Sequence, residues 1–168
     1  MHESIFLLAL VIILALIFDA SNGFHDAANA IATSVSTRVL SPRTAIVMAA
    51  VLNLIGALAG TAVAKMVGAG LVQPGGVTQL TVVSALLSAI LWNLITWYFG
   101  LPTSSSHALM ASIVGAGIAT AGTGVVLWAG TKKVLLAIIV SPFIGFFFGF
   151  VLMILLMWIC ARMLPFKV

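Results

Sequence analysis

Formal charge is what this 168-residue sequence most lacks: Lys, Arg, Asp and Glu together make up 6% of it. A soluble domain of ordinary composition carries about 25% of such residues, so this chain cannot clothe itself for water. With 63% hydrophobic residues and a mean hydropathy of +1.32, it is not a disordered chain either, since disorder needs low hydrophobicity and high charge. Acids are scarcer than bases, three against seven. The pI near 9.9 therefore records missing carboxylates rather than a basic patch, and no nucleic-acid partner is expected. The single cysteine, Cys160, excludes an intrachain disulfide and a cysteine-based metal centre. No cofactor and no tight structural metal site are expected. What remains is an integral membrane protein in contact with lipid.

Its fold class follows from the length of the uncharged runs. Thr44 to Ala64 carries no formal charge, nor does Met66 to Thr131, and Val134 to Ala161 is a third such run. A span needs about 20 apolar residues, and backbone groups in lipid must be satisfied within the segment, so these runs predict helices. Barrel strands would alternate strictly over about ten residues, and no such stretch occurs. The expected architecture is an all-α, multi-span bundle, with residues 1–168 forming one transmembrane domain. Spans are predicted near 44–64, 80–99 and 134–160, with a first one starting near residue 4. The stretch 66–79, rich in glycine, predicts a loop. GLPTSSSHALMASIVGAGIATAGTG, after Phe99, predicts a broken helix or a re-entrant hairpin.

Two constellations carry chemistry. Asp19, Asn22, Asp26, Asn29, Thr33 and Thr37 follow one another at intervals of three, four, three, four and four, a spacing that keeps all six on one helix face. Gly23 offers a possible break within that segment. A carboxylate at the bilayer centre costs about 2.5–3.5 kcal/mol on insertion scales, yet two of the three acids stand on this stripe. Polar glue between helices explains one or two such residues well and six in register badly. Carboxylate, amide and hydroxyl oxygens suit a hard monovalent cation or a proton relay, which makes Asp26, Asn29 and Thr33 candidate cation ligands, with Asn22 beside them. His25 lies about 100° from Asp26 around the helix. Three roles stay open for it: proton carrier, ligand contact or plain polar neighbour.

The second constellation is Pro102-Thr103-Ser104-Ser105-Ser106-His107. Pro favours a helix's first turn and Ser or Thr its cap, so a new helix is expected to begin at about residues 102–105. Its free N–H groups and dipole favour an anion, and Thr103, Ser104, Ser105 and Ser106 crowd the same place. Gly115, Gly117 and Gly122 further on are read as close-packing positions.

NGFHDAANAIATSVSTR together with WNLITWYFGLPTSSSHAL resembles the two signature stretches of the inorganic phosphate transporter (Pit/PiT) family. The His-Asp form is similar to the bacterial low-affinity members rather than the sodium-coupled branch, where Asn-Asp is usual. The resemblance implies uptake of phosphate, or of a neutral metal–phosphate complex, driven by a cation gradient of H+ or Na+ across a bacterial inner membrane. It associates Asp26 and Asn29 with the coupling ion, and Ser104, Ser105 and Ser106 with phosphate. It also implies that this chain corresponds to the N-terminal half of an inverted-repeat transporter, either a fragment or a half-size protein that assembles as a pair. Asn53 stands mid-span where sodium-coupled members carry a carboxylate, which favours proton coupling. Asp19, His25, His107 and Asn53 are the remaining candidates for a polar or proton relay.

Two other classes compete. An intramembrane hydrolase would need a serine–base pair. Ser106 and His107 are adjacent, so on a helix they point about 100° apart, and no G-x-S-x-G elbow is present. A channel-forming or structural subunit would use the stripe as a pore lining, and an isolated half would be inactive without a second copy.

Overall fold

The computed structural model describes residues 5–60, 65 and 68–161. Among the described residues, five α-helices have defined bounds: α1 (Ile5–Ser36), α2 (Pro42–Ala59), α3 (Gln79–Tyr98), α4 (Ser105–Ala121) and α5 (Trp128–Cys160). All but α4 are long and apolar enough to cross a membrane. The last residues of the span predicted over 44–64, and residues 66–67 of the predicted loop, lie outside the described residues. Of the loop predicted over 66–79, Gly68, Ala69 and Gln79 are helical, while Gly70 to Thr78 is non-helical except for a 3-10 turn at Pro74–Gly76.

The chain divides after Trp128 into two compact units. The second consists, among the described residues, of α5 beyond its first residue. Its charged residues among those described are Lys132 and Lys133 near the start, and Pro142 lies inside the helix without ending it.

In the first unit, α1 runs unbroken for 32 residues, so Gly23 is not a break; a side chain there would meet open space. The helix ends where Val39 and Leu40 turn their N–H groups back to the carbonyl of Ser34 (3.0 and 3.2 Å), with Arg38 at a φ of 60°. Ser41 then caps α2, its hydroxyl accepting from the Thr44 N–H at 3.2 Å with Pro42 in the first turn. The Thr78 and Thr81 hydroxyls form a capping box that starts α3.

α1 and α3 lie side by side and parallel. Asn93 meets Ser21 and Thr96 meets His25, so residue numbers rise together. Below these pairs Leu14 and Phe18 pack with Leu86, Ala89 and Ile90 in a buried core. α3 closes with Gly100 at a φ of 66°, while Leu101 N–H donates to Thr96 O and Gly100 N–H to Trp97 O. This is a Schellman ending, which glycine adopts without Cβ strain. The chain then reverses: Thr103 meets Thr96 at 3.1 Å and Thr120 meets Thr81 at 3.2 Å, so α4 runs antiparallel to α3. From the level of this reversal, beside Asp26, α1 continues to Ser36, about 15 Å further at 1.5 Å per residue. α3 and α4 thus form an antiparallel hairpin whose turn lies beside α1 at Asp26, ten residues before that helix ends.

Candidate functional site

α4 begins at Ser105 with Ser104 as its cap, the Ser104 hydroxyl accepting from the His107 N–H at 3.4 Å. Pro102, expected in the first turn, stands two residues before the cap instead. The Thr103 hydroxyl donates to Thr96 Oγ1 and holds this stretch against α3, so the helix cannot start earlier. With Ser104 occupying the His107 N–H, the N–H groups of Ser105 and Ser106 are the helix's remaining orphan donors.

The three serines do not converge on a point. Successive residues around a helix start diverge by about 100°, and here Ser105 is fully buried while Ser104 and Ser106 are exposed. Ser105 faces α1, and its hydroxyl donates to Asp26 Oδ1 at 3.2 Å. This bond ties the acidic stripe to the hydroxyl cluster across 79 residues of sequence. Asp26 keeps 44% of its side chain accessible, so its carboxylate retains open coordination after accepting from Ser105.

His25 is buried next to this pair. Its Nδ1 lies 3.4 Å from Asp26 Oδ1 and its Nε2 lies 3.5 Å from Thr96 Oγ1, both at the long limit of hydrogen bonding. It also lines a groove of about 320 Å³ together with Asn29, Thr96 and Pro102. Asn29 thus joins the site through that groove, without a hydrogen bond to Asp26. Asn22 sits one turn below Asp26 with its Oδ1 buried and unpartnered.

The rest of the stripe stays apart. Asp19, Thr33 and Thr37 are exposed, and among the described residues no hydrogen bond links any of them to Asp26 or the serines. Thr37 donates to the Thr33 carbonyl at 2.7 Å, which serves the end of α1. Asn53, on α2, lines an apolar groove with Phe24, Ala28 and Ile31, away from the Asp26–Ser105 contact. His107 lines a different groove, between α3 and α4.

Three side chains that the sequence reading passes over belong to the network. Ser21 donates to Phe18 O at 2.7 Å and accepts from Asn93 Nδ2 at 3.3 Å. Since the Ser21 proton is committed to the carbonyl, the Asn93 amide nitrogen must face it, which leaves Asn93 Oδ1 buried without a partner. Thr96 donates to the backbone and accepts from Thr103. The signal was present as two pairs: Ser21 and His25 four apart, Asn93 and Thr96 three apart, each at helical spacing in an otherwise apolar run.

Four helices long and apolar enough to cross a membrane, with a carboxylate and a serine of a helix start bonded between two of the chain's helices, define a multi-pass membrane protein with a polar interhelical site. The comparisons are more specific. Residues 22–167 match the phosphate transporter family, and the chain belongs to that family. The family is one of transporters, not enzymes. The chain is 53% identical over 145 residues to a probable low-affinity inorganic phosphate transporter of Bacillus subtilis, covering 85% of this chain and 44% of that protein. It is 51% identical over 162 residues to a protein of the same description from Streptomyces halstedii, covering 95% and 75%. A solved structure described as the sodium-dependent phosphate transporter superposes with a TM-score of 0.84 at 30% identity, over 92% of this chain and 40% of that one. The chain thus spans about half or less of the length of most of these relatives. Its apolar spans and bacterial relatives make it a multi-pass protein of the bacterial plasma membrane.

Proposed function

We propose that this chain acts in cation-coupled transport of inorganic phosphate by alternating access. The observation that carries the reading is the Ser105–Asp26 hydrogen bond of 3.2 Å, which joins an anion-suited helix start to a carboxylate. Phosphate is held by the free N–H groups at the start of α4 with the exposed hydroxyls of Ser104 and Ser106, while those of Thr103 and Ser105, donated to Thr96 and Asp26, fix the helix start. The coupling cation, H+ or Na+, is held by Asp26 with Asn22 and Asn29 one turn away on the same face, while Thr33, two turns along the stripe, stands outside the site. Asp19, His25, His107 and Asn53 are the polar groups left for relay roles. Cation charge offsets substrate charge, so each site favours occupancy of the other. The sodium-dependent description of the structural neighbour supports cation coupling in general. A neutral metal–phosphate complex is a second form in which the substrate would cross.

Residues 1–168 work in this reading as one transmembrane domain, completed by a second repeat or a second copy, since discontinuous helices of inverted-repeat transporters bind substrate between halves. The test is radiolabelled phosphate uptake into proteoliposomes under imposed proton and sodium gradients in turn. Uptake against a phosphate gradient is expected with one of the two cations and is lost in Asp26→Asn, which still inserts. Uptake that is unchanged in this variant, or that only follows the phosphate gradient as in a passive pore, overturns the reading.

A further inference from the structure

Ser104 and Ser105 are neighbours in sequence but open onto different spaces. Ser105 is sealed against Asp26, whereas Ser104 borders a groove of about 630 Å³ between α3 and α4. That groove takes Ser88 and Trp92 from α3, and Thr103, Ser104, His107 and Ser112 from the turn and α4. Ser104, His107, Ala108, Ala111 and Ser112 bring a broad side of α4 to the groove, and Ser88 lies one turn before Trp92 on α3. Ser88 donates to its own helix at Ser84 O (2.8 Å), while His107 and Ser112 have no side-chain hydrogen bond among the described residues.

Unpartnered polar side chains at membrane depth are costly in hydrocarbon and normally face water or a solute. At about 30 Å³ per water, the groove has room for an ion with part of its hydration shell. Its charge character differs from that of the other polar groove. Among the described residues, His107 is the one titratable group of the lining, α3 contributes none, and no carboxylate borders the groove. Asp26 reaches α4 through Ser105, on a different face. Hydroxyls, an imidazole and the positive end of α4, with no acid opposite them, suit an anion rather than a cation.

We propose that the α3–α4 groove is a second oxyanion station, a vestibule from which the anion reaches the helix start beside Ser105, with His107 and Ser112 as its contacts. Phosphate as the oxyanion rests on the function proposed above. Because Cys160 is the sole cysteine, Cys160→Ala gives a thiol-free background for Ser112→Cys, Ser88→Cys and, on the outer face of α3, Leu87→Cys. Each is reconstituted into phosphatidylcholine vesicles and treated with a membrane-impermeant, negatively charged methanethiosulfonate. A thiol in water reacts as its thiolate and one in lipid does not, so positions 112 and 88 are expected to react at least about tenfold faster than 87. Inorganic phosphate slows the reaction, chloride at equal ionic strength does not, and His107→Gln removes the protection. A Ser112→Cys chain as inert as Leu87→Cys, or one whose labelling phosphate leaves unchanged, overturns the vestibule. Labelling is scored without transport. Protection without coupled uptake upholds the groove and defeats the proposed function, whereas uptake without protection does the reverse.

Discussion

Ser105 has a role that Ser104 and Ser106 cannot share, because only its side chain is buried against a carboxylate. A hydrogen bond to a charged group contributes about 1.5–3 kcal/mol, and every 1.4 kcal/mol is tenfold in an equilibrium. Ser105→Ala is therefore expected to weaken phosphate-coupled cation binding about 10- to 100-fold. Ser106→Ala, whose hydroxyl is exposed and whose N–H survives the change, loses much less. Isothermal titration of phosphate in the presence of the coupling cation separates the two, and equal losses would show that the Asp26 contact is not what matters. Asp26 and Ser105 were both legible beforehand because each obeys a local rule, polar spacing for one and capping chemistry for the other. Thr33 and Thr37 obeyed the same spacing rule and stay outside the site, because a face of a long helix need not be covered along its whole length. Ser21, Asn93 and Thr96 left only a weak trace, two polar pairs at helical spacing, and such a pair has no assigned partner until the facing helix is known.

At the scale of elements, the hairpin of α3 and α4 sets where the site lies in depth. Its turn was legible in Gly-Leu-Pro-Thr-Ser, but the antiparallel return was not, since it depends on Thr81 meeting Thr120 and on Gly117 admitting Val72. The glycines that looked alike in sequence separate here. A Cβ on Gly117 would lie 2.8 Å from Val72 Cγ1, whereas one on Gly115 meets nothing within 4 Å. Gly122 packs against nothing either and is required by its φ of 78°. Only Gly117 of the three is thus a close-packing position. Gly117→Ala is expected to destabilise by about 1–3 kcal/mol through overpacking. Gly115→Ala should be neutral or gain up to about 1 kcal/mol from helix propensity. Thermal unfolding of the two variants in detergent checks this, and a Gly117→Ala chain as stable as the parent would mean that the loop bearing Val72 yields freely.

For the whole molecule, the decisive fact is that the described residues of the first unit build the site on one side only. Asp26 is 44% accessible, and Asn29, Thr33 and Ser106 are exposed on helices that otherwise belong in hydrocarbon. Such groups normally face a bundle interior or a water-filled path, so another protein surface is needed to line the opposite wall. Membership of the family was legible in two motifs because they lie where this wall must be met. What the second wall consists of was not, because no local spacing or capping rule names the surface that faces a helix. If a second copy of this chain supplies it, the functional unit is a pair and both members must be intact. Mixing wild-type chains with Asp26→Asn chains before reconstitution tests this directly. In an equal mixture a pair with both sites required retains about a quarter of the uptake, while independent copies retain about half. The expected curve falls with the square of the wild-type fraction, and a straight line would show that each copy, once inserted, transports alone.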